Sequence, residues 1–245
     1  ATTFHKTEMN LIHTLCYATF KYILTILLSP NSKLTQAILG PIPAAAYSLT
    51  HQIGFYISIL CNSMTIAVQT LLSREIASST KIPKKTSLQQ IQRDDNMHSS
   101  RDILNVAKSS IMASAFITSC ISIALFLGKD FVLTGMTNSQ VIHEAAVNIF
   151  PIFILTQVLK GISFPVNGIL LGTLDWEFYM LSTWLANMAC VGCFHLVRGS
   201  NTQVSMRRIW TSWAVFMITQ IICGVTRFHY RFSRQKKIEE EKDDA

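Results

Sequence analysis

The sequence predicts an all-α fold, a polytopic membrane bundle of six transmembrane helices. The segment from Ala44 to Leu72 contains no Asp, Glu, Lys or Arg. With a rise of about 1.5 Å per residue, this segment as a helix exceeds the roughly 30 Å hydrocarbon core of a bilayer. Other apolar segments recur along the chain. Charged residues make up only 14% of the 245 residues and hydrophobic residues 49%, whereas soluble domains carry about 25% charged residues.

The predicted spans form one membrane domain over residues 1–226. Each span is an apolar run that contains at most one full charge. In chain order the spans are residues 11–28, 44–72, 103–127, 141–159, 178–197 and 209–225. The segment 77–102 is rich in Ser, Lys, Gln and Asp, which predicts a polar loop, and residues 227–245 form a tail that changes from basic to acidic.

Basic residues are concentrated on one side of the six predicted spans. This side carries both termini and the loop 77–102. The positive-inside rule predicts that it faces the cytoplasm or its topological equivalent. Because Lys and Arg beside a span commonly meet anionic lipid, the predicted partner of these charges is the bilayer and not a nucleic acid.

Polar side chains inside the predicted spans need a partner or a wet cavity. On the second span they recur at spacings that place most of them along one helical face. That face either lines a cavity or forms hydrogen bonds between helices, and both interpretations stay open. Lys160 and Gln220 on later spans can contribute to the same interior. The cavity candidates are Gln52, Asn62, Thr65, Gln69, Gln157 and Asn187.

Titratable residues in the first two spans are candidates for proton handling. They are His13, Lys21 and His51. Proton-coupled carriers need a titratable group in the membrane, and His suits this role near neutral pH. Alternatively, Lys21 extends towards the interface or pairs with a carbonyl, and His51 is solvated near the membrane surface.

Two acidic residues, Asp175 and Glu177, lie in the predicted turn between the fourth and fifth spans. This turn is on the basic side, and we expect it to be close to Lys160. One hypothesis is a gating ion pair that holds one face closed. The alternative is a helix start, because acids near a helix N-terminus are stabilised by about 0.3–1 kcal/mol.

Enzymatic motifs are absent from the sequence, which has no Gly-rich phosphate loop, His-Glu-x-x-His or Gly-x-Ser-x-Gly. We expect neither an enzyme nor a bound cofactor. Cys190, Cys193 and His195 have a spacing that fits either a metal or redox pair or the packing of small residues between helices. Gly168 and Gly172 fit the small-xxx-small pattern of close helix approach, which also occurs by chance.

Three segments carry a resemblance to a known family. They are AAAYSLTHQI at 44–53, AVQTLLSREI at 67–76 and VNGILLGTLDWEF at 166–178. In this order and spacing they resemble the C-terminal half of a multidrug and toxic compound extrusion (MATE) transporter of the DinF-like branch. The resemblance covers most of the chain, from the first span to Arg227.

This resemblance implies a secondary active exporter with two six-helix lobes that alternate between inward-open and outward-open arrangements. The substrate would be a small organic compound, and a proton or sodium gradient would supply the energy, with no cofactor. The chain would supply one lobe, and a second lobe would come from the same chain or from a parallel homodimer. The competing hypothesis is a membrane scaffold without transport activity.

The chain departs from the family pattern at the coupling site. Relatives with a cation site in this lobe use acids on its first and fourth spans, whereas here Glu8 precedes the first span and Glu144 lies near the start of the fourth. The resemblance therefore names no coupling residue. The expected location is a plastid envelope or a plasma membrane, as a multi-pass protein.

Overall fold

A computed structural model describes residues 40–80, 89–196 and 206–243. The first predicted span, with His13 and Lys21, lies outside these residues. All elements in the described ranges are α-helices apart from short connections. They are α1 (Pro41–Thr80), α2 (Gln89–Leu127), α3 (Lys129–Met136), α4 (Gln140–Gly172), α5 (Trp176–Leu196) and α6 (Met206–Asp243).

Four of the described helices are long and apolar enough to cross a membrane, as expected for an integral membrane protein. The membrane-compatible segments are Pro41–Arg74, Asn105–Leu127, Gln140–Gly172 and Met206–Arg231. They correspond to the second, third, fourth and sixth predicted spans. Helix α5 covers most of the fifth predicted span with 21 residues. It is not among the four membrane-compatible segments.

Three predicted boundaries differ from the structure. Within the predicted loop 77–102, α1 continues to Thr80 and α2 already begins at Gln89, and α6 continues through the predicted tail to Asp243. Neither 89–102 nor 227–243 contains Gly or Pro, so nothing in the local sequence ends these helices at the apolar boundary. The fourth span was predicted to end at residue 159, whereas α4 extends to Gly172, and Lys160 lies within it with its amino group bonded to Ser58 on α1.

Helix α4 is the centre of the bundle and contacts each of the other five described helices. α1 runs parallel to it, because Gly54 lies beside Phe153 near the start of both helices and Leu72 lies beside Gly172 near their ends. α6 runs in the same direction, since Trp210 near its start packs its ring against Phe153 at 5.0 Å.

The remaining long helices run in the opposite direction to α4. On α2, Thr118 faces the middle of α4 at Gly161, and the earlier residue Ala107 packs near the end of α4 on Ile169. α5 follows α4 after a short turn and returns along α6. The described helices therefore alternate up and down, which places Arg74, the α4–α5 turn and Arg227 at one end of the bundle.

Glycines on α4 allow this close packing against α1. A Cβ atom at Gly168 would lie 2.6 Å from the backbone oxygen of Thr65, and one at Gly172 would lie 2.9 Å from the Cβ of Leu72. The Gly168-x-x-x-Gly172 pattern thus marks a real helix contact. Such short separations increase dispersion contacts between helices, which matter in lipid because hydrophobic association is weak there.

Two apolar clusters lie towards opposite ends of the bundle. The larger cluster, at the start of α1, α4 and α6, is rich in aromatic rings, and the smaller one lies at the opposite ends of α1 and α4. The main members of the first are Tyr47, Ile53, Phe150, Phe153, Ile209 and Trp210, and those of the second are Val68, Leu72, Ala107 and Ile169. The space between them is more polar.

The turn from α4 to α5 uses a left-handed residue that is not glycine. Leu174 has a φ of 57°, and its side chain is exposed. The Leu174 N–H donates to the Leu171 oxygen at 3.1 Å, and the Asp175 N–H donates to the Leu170 oxygen at 3.0 Å. These two bonds form a Schellman motif, in which glycine usually occupies the left-handed position.

Replacing Leu174 by Gly should therefore stabilise the protein. The left-handed conformation costs leucine about 1–2 kcal/mol in free energy. Glycine adopts it without this cost but loses more conformational entropy on folding. We expect a gain of about 1 kcal/mol in the free energy of unfolding, measured by denaturation with SDS in mixed micelles. Leu174→Ala is the control, because it removes the same exposed side chain but keeps the Cβ, and it should give no comparable gain.

Candidate functional site

A cavity of about 220 Å³ lies between α1, α4, α5 and α6, between the two apolar clusters. Its walls combine aromatic rings with amide, hydroxyl and amino groups. The aromatic residues are Phe55, Phe164, Tyr179, Trp210, Trp213 and Phe216. The polar residues are His51, Ser58, Asn62, Thr65, Thr156, Lys160, Asn167, Thr183, Asn187 and Gln220.

Lys160 on α4 reaches across to α1 at the cavity wall. Its Nζ donates to the Gly54 carbonyl oxygen at 3.2 Å, to the Ser58 Oγ at 2.8 Å and to the Gln157 Oε1 at 2.9 Å. Gly54 has no side chain to block this approach, so the amino group can contact the α1 backbone directly. The three bonds join the two parallel helices at the level of the cavity.

The neighbouring hydrogen bonds show which groups accept from Lys160. The Ser58 hydroxyl lies 2.7 Å from the Gly54 oxygen, to which it donates, so towards Lys160 it acts as an acceptor. The Gln157 Nε2 donates to the Phe153 oxygen at 3.2 Å, which directs Oε1 towards Lys160. The three acceptors around Lys160 match the three N–H donors of an ammonium group.

A second polar cluster joins α4, α5 and α6 around Gln220. Its Oε1 accepts hydrogen bonds from the Ser163 Oγ at 2.8 Å and from the Asn167 Nδ2 at 3.2 Å. Its Nε2 lies 3.5 Å from the Thr183 Oγ1, at the limit of a hydrogen bond. Asn187 donates to the backbone oxygen of Thr183 within α5. This cluster holds α5 and α6 in register with α4.

Two polar atoms of cavity-lining residues are buried without a partner in the part of the chain that the structure describes. They are the Asn167 Oδ1, an acceptor, and the Trp210 Nε1, a donor. Trp210 is only 3% exposed. Buried polar atoms are normally hydrogen-bonded, so these two atoms are exceptions among the residues of the cavity wall.

Among the predicted cavity candidates, Asn62, Thr65 and Asn187 line this cavity, and so does the proton-handling candidate His51. Gln157 is buried beside it and positions Lys160. Gln52 is exposed and Gln69 is half-buried, and neither belongs to the cavity wall.

The course of α1 past the cavity explains why Gln52 and Gln69 lie outside the cavity wall. Its cavity-facing residues are His51, Phe55, Ser58, Asn62 and Thr65, at spacings of three and four that define one helical stripe. Residue 52 follows His51 by one position and is turned by about 100° from this stripe. Residue 69 continues the stripe but lies beyond the cavity, at the level of the last residue of α4.

Asp175 pairs with α6 and not with Lys160, so the predicted Asp175–Lys160 proximity is wrong. The Asp175 carboxylate accepts from the Arg227 Nε at 2.8 Å and from its Nη2 at 3.3 Å, and the Arg231 Nε lies 3.6 Å away. The Arg227 guanidinium also lies over the Phe178 ring. Lys160 is too far along α4 to reach this turn and bonds to α1 instead.

The same turn starts α5. The Tyr179 N–H donates to the Asp175 carbonyl oxygen, and Glu177 lies exposed in the first turn of the helix, where its charge is favourable. Glu177 therefore occupies the position near a helix N-terminus that the second hypothesis describes. The Asp175 ion pairs connect the α4–α5 turn to α6.

Several cavity residues were not singled out from the sequence. Ser58, Asn167, Thr183 and Trp210 are residue types common in membrane helices, so residue type alone gave no signal for them. The period of the α1 stripe from His51 would have identified Ser58, because it lies seven positions later. No such local signal exists for Trp210, whose role depends on the packing of α6 against α4.

The described residues include no group of three or more His, Cys, Asp or Glu side chains that could hold a metal ion. Cys190 is buried and Cys193 half-buried on α5, both as free thiols. Comparison of the chain with models of protein families, with curated proteins and with solved structures found no match. The observations that bear on function are therefore those of the cavity and its surroundings.

Proposed function

We propose that this chain is one six-span lobe of a secondary active exporter, which moves a small organic compound by proton- or sodium-coupled antiport. The observation that carries the proposal is the cavity, whose wall contains amide, hydroxyl and amino groups within a bundle of apolar helices. Polar and charged groups cost free energy in a bilayer interior and usually mark a transport path or ligand site there.

Two prolines in the central helix, α4, support the proposal that the interior changes conformation during transport. α4 contains Pro151 and Pro165, and each lacks the N–H that would complete a helical hydrogen bond. Pro165 leaves the Gly161 carbonyl without its usual helical donor directly beside Lys160. Helices of carriers are commonly interrupted where they border the substrate path.

The other parts of the proposal rest on the sequence. Residues 11–28 would supply the first span and α5 the fifth, and a second lobe from the same chain or from a parallel copy would complete the transport path. His51 is the proton-handling candidate that borders the cavity. The proposed location is a plastid envelope or a plasma membrane.

Thiol accessibility tests whether the cavity is wet. In a background with the six native cysteines replaced by Ala, Asn187→Cys should react with a charged, water-soluble methanethiosulfonate reagent in native membranes. Met188→Cys is the matched control, because it is the next residue on α5 but is 52% exposed on the outer face of the bundle, where lipid keeps the thiol unreactive. Asn187 is 3% exposed and lines the cavity.

Labelling of Asn187→Cys and not of Met188→Cys supports the carrier. If neither residue reacts while Arg231→Cys, at an exposed position on α6, does, the cavity is dry, and the scaffold hypothesis replaces the proposal. Reconstituted protein that moves no organic compound under an imposed proton or sodium gradient would also contradict it.

A further inference from the structure

We propose that the cavity binds a small organic anion with a flat apolar body, as the substrate of the exporter proposed above, so that this inference rests on the proposed function. The inference comes from the charge of the cavity and from the hydrogen-bonding groups in its wall.

The described wall of the cavity contains one lysine, Lys160. Its three acceptors match the three N–H donors of an ammonium group, because Ser58 and Gln157 direct their own donors to other partners. All three acceptors of Lys160 are neutral. The charge is therefore solvated by dipoles but is not compensated by an anion.

Among the residues that the structure describes, no acidic side chain is placed to compensate Lys160. The described lining of the cavity contains no Asp or Glu. Glu144 is the only acid in any predicted span and lies about 24 Å from Lys160 along the axis of α4. Asp175 lies beyond the end of α4 and is paired with Arg227. The predicted first span also contains no acid, and its Lys21 would add positive charge.

A single uncompensated charge determines which ligands the cavity favours. In a medium of low dielectric constant, opposite charges attract and like charges repel far more strongly than in water. An anionic group beside Lys160 would accept a hydrogen bond from the ammonium and carry the opposite charge, whereas Lys160 now donates to the neutral Ser58 hydroxyl. A cationic ligand would meet repulsion with no carboxylate to offset it.

The other residues of the cavity wall indicate the polarity, shape and size of the rest of the ligand. Amide and hydroxyl groups of Asn62, Asn187 and Thr183 offer donors and acceptors to polar substituents of the ligand. Phe164, Tyr179 and Trp213 provide flat apolar walls. The volume of about 220 Å³ is below the roughly 300–1,000 Å³ of sites for drug-sized ligands, so the ligand is small.

Three probes of one shape and different charge test the inference. They are para-fluorobenzoate, para-fluorobenzamide and para-fluorobenzylammonium, with binding to the full chain in lipid nanodiscs measured by fluorine NMR and empty nanodiscs as the blank. We expect the benzoate to bind at least about tenfold more tightly than the amide, and the ammonium probe to bind most weakly. Equal or tighter binding of the ammonium probe would overturn the inference.

Two variants test whether Lys160 causes the preference for the anionic probe. Lys160→Met should lower the affinity for the benzoate at least about tenfold and change that for the amide by less than about threefold. Lys108→Met is the matched control, because it removes one positive charge from an exposed position on α2 and should change neither affinity.

The outcomes separate this inference from the proposed function. If no probe binds although Asn187→Cys is labelled from water, the cavity is wet but does not select anions, and only the inference fails. If Asn187→Cys is inaccessible, the carrier itself is contradicted. A preference for the benzoate that survives Lys160→Met would show that another group attracts the anion, which also overturns the inference.

Discussion

Replacing Gly168 by Ala will lower the free energy of unfolding by about 2–3 kcal/mol, in the upper range of overpacking effects. The added Cβ would lie 2.6 Å from the Thr65 backbone oxygen and 3.2 Å from its Cα. Because these are backbone atoms, no side-chain rotation relieves the overlap, and α1 must move away from α4. This movement also weakens the bond that the Thr65 Oγ1 donates to the Phe164 oxygen at 2.9 Å. Denaturation by SDS in mixed micelles measures the change.

Gly192→Ala is the matched control for this prediction. Gly192 lies inside α5, and a Cβ there would meet no atom within 4 Å. Alanine is the better helix former, so this variant should be more stable than the parent by about 0.5–1 kcal/mol. Equal effects of the two substitutions would show that α1 and α4 are not in close contact at Gly168.

Replacing Asp175 by Asn will cost about 2–3 kcal/mol in the free energy of unfolding. The carboxylate is 8% exposed and forms two hydrogen bonds with Arg227, while Arg231 lies within ion-pair distance. Removing one partner of a buried ion pair typically costs about 3–5 kcal/mol. We expect less here because the Arg227 side chain is about one-third exposed and water can solvate it.

Glu177→Gln, which removes the same charge two positions later, is the control. Glu177 is exposed in the first turn of α5, and its loss should cost no more than about 0.5 kcal/mol. Exchanging the charges, with Asp175→Arg and Arg227→Asp in one protein, should recover part of the lost stability. A double variant less stable than either single variant would contradict the direct pairing of these residues.

The sequence predicted the helical class and the membrane-compatible helices because an uncharged apolar run is a local property. The segment 44–72 shows this most clearly, since α1 contains all of it. The prediction for the fourth span ended at residue 159 for the same reason: a full charge follows. Whether Lys160 ends a span depends on the acceptors that α1 provides, and these are set by tertiary packing.

Side-chain partners were harder to predict than helices. A shift of one position along a helix changes the face that contacts its neighbours. The stripe that begins at His51 differs from one that begins at Gln52 by about 100° around the helix axis. The partner of Asp175 comes from α6, more than fifty positions later, and no local pattern relates the two residues. Sequence patterns therefore gave the candidate residue types, while the packing of α4 determined their partners.

The central position of α4 has a consequence for biosynthesis. α1 and α2 emerge from the ribosome before the helix that they mainly pack against, and the chain from Thr80 to Gly172 takes roughly 5 to 20 s to synthesise. During this interval their hydroxyl groups need partners in the lipid. Thr65 and Thr118 each bond to the backbone oxygen four residues earlier, on their own helix. The hydroxyl groups of Thr65 and Thr118 therefore keep a hydrogen-bond acceptor in the bilayer before α4 is synthesised and inserted.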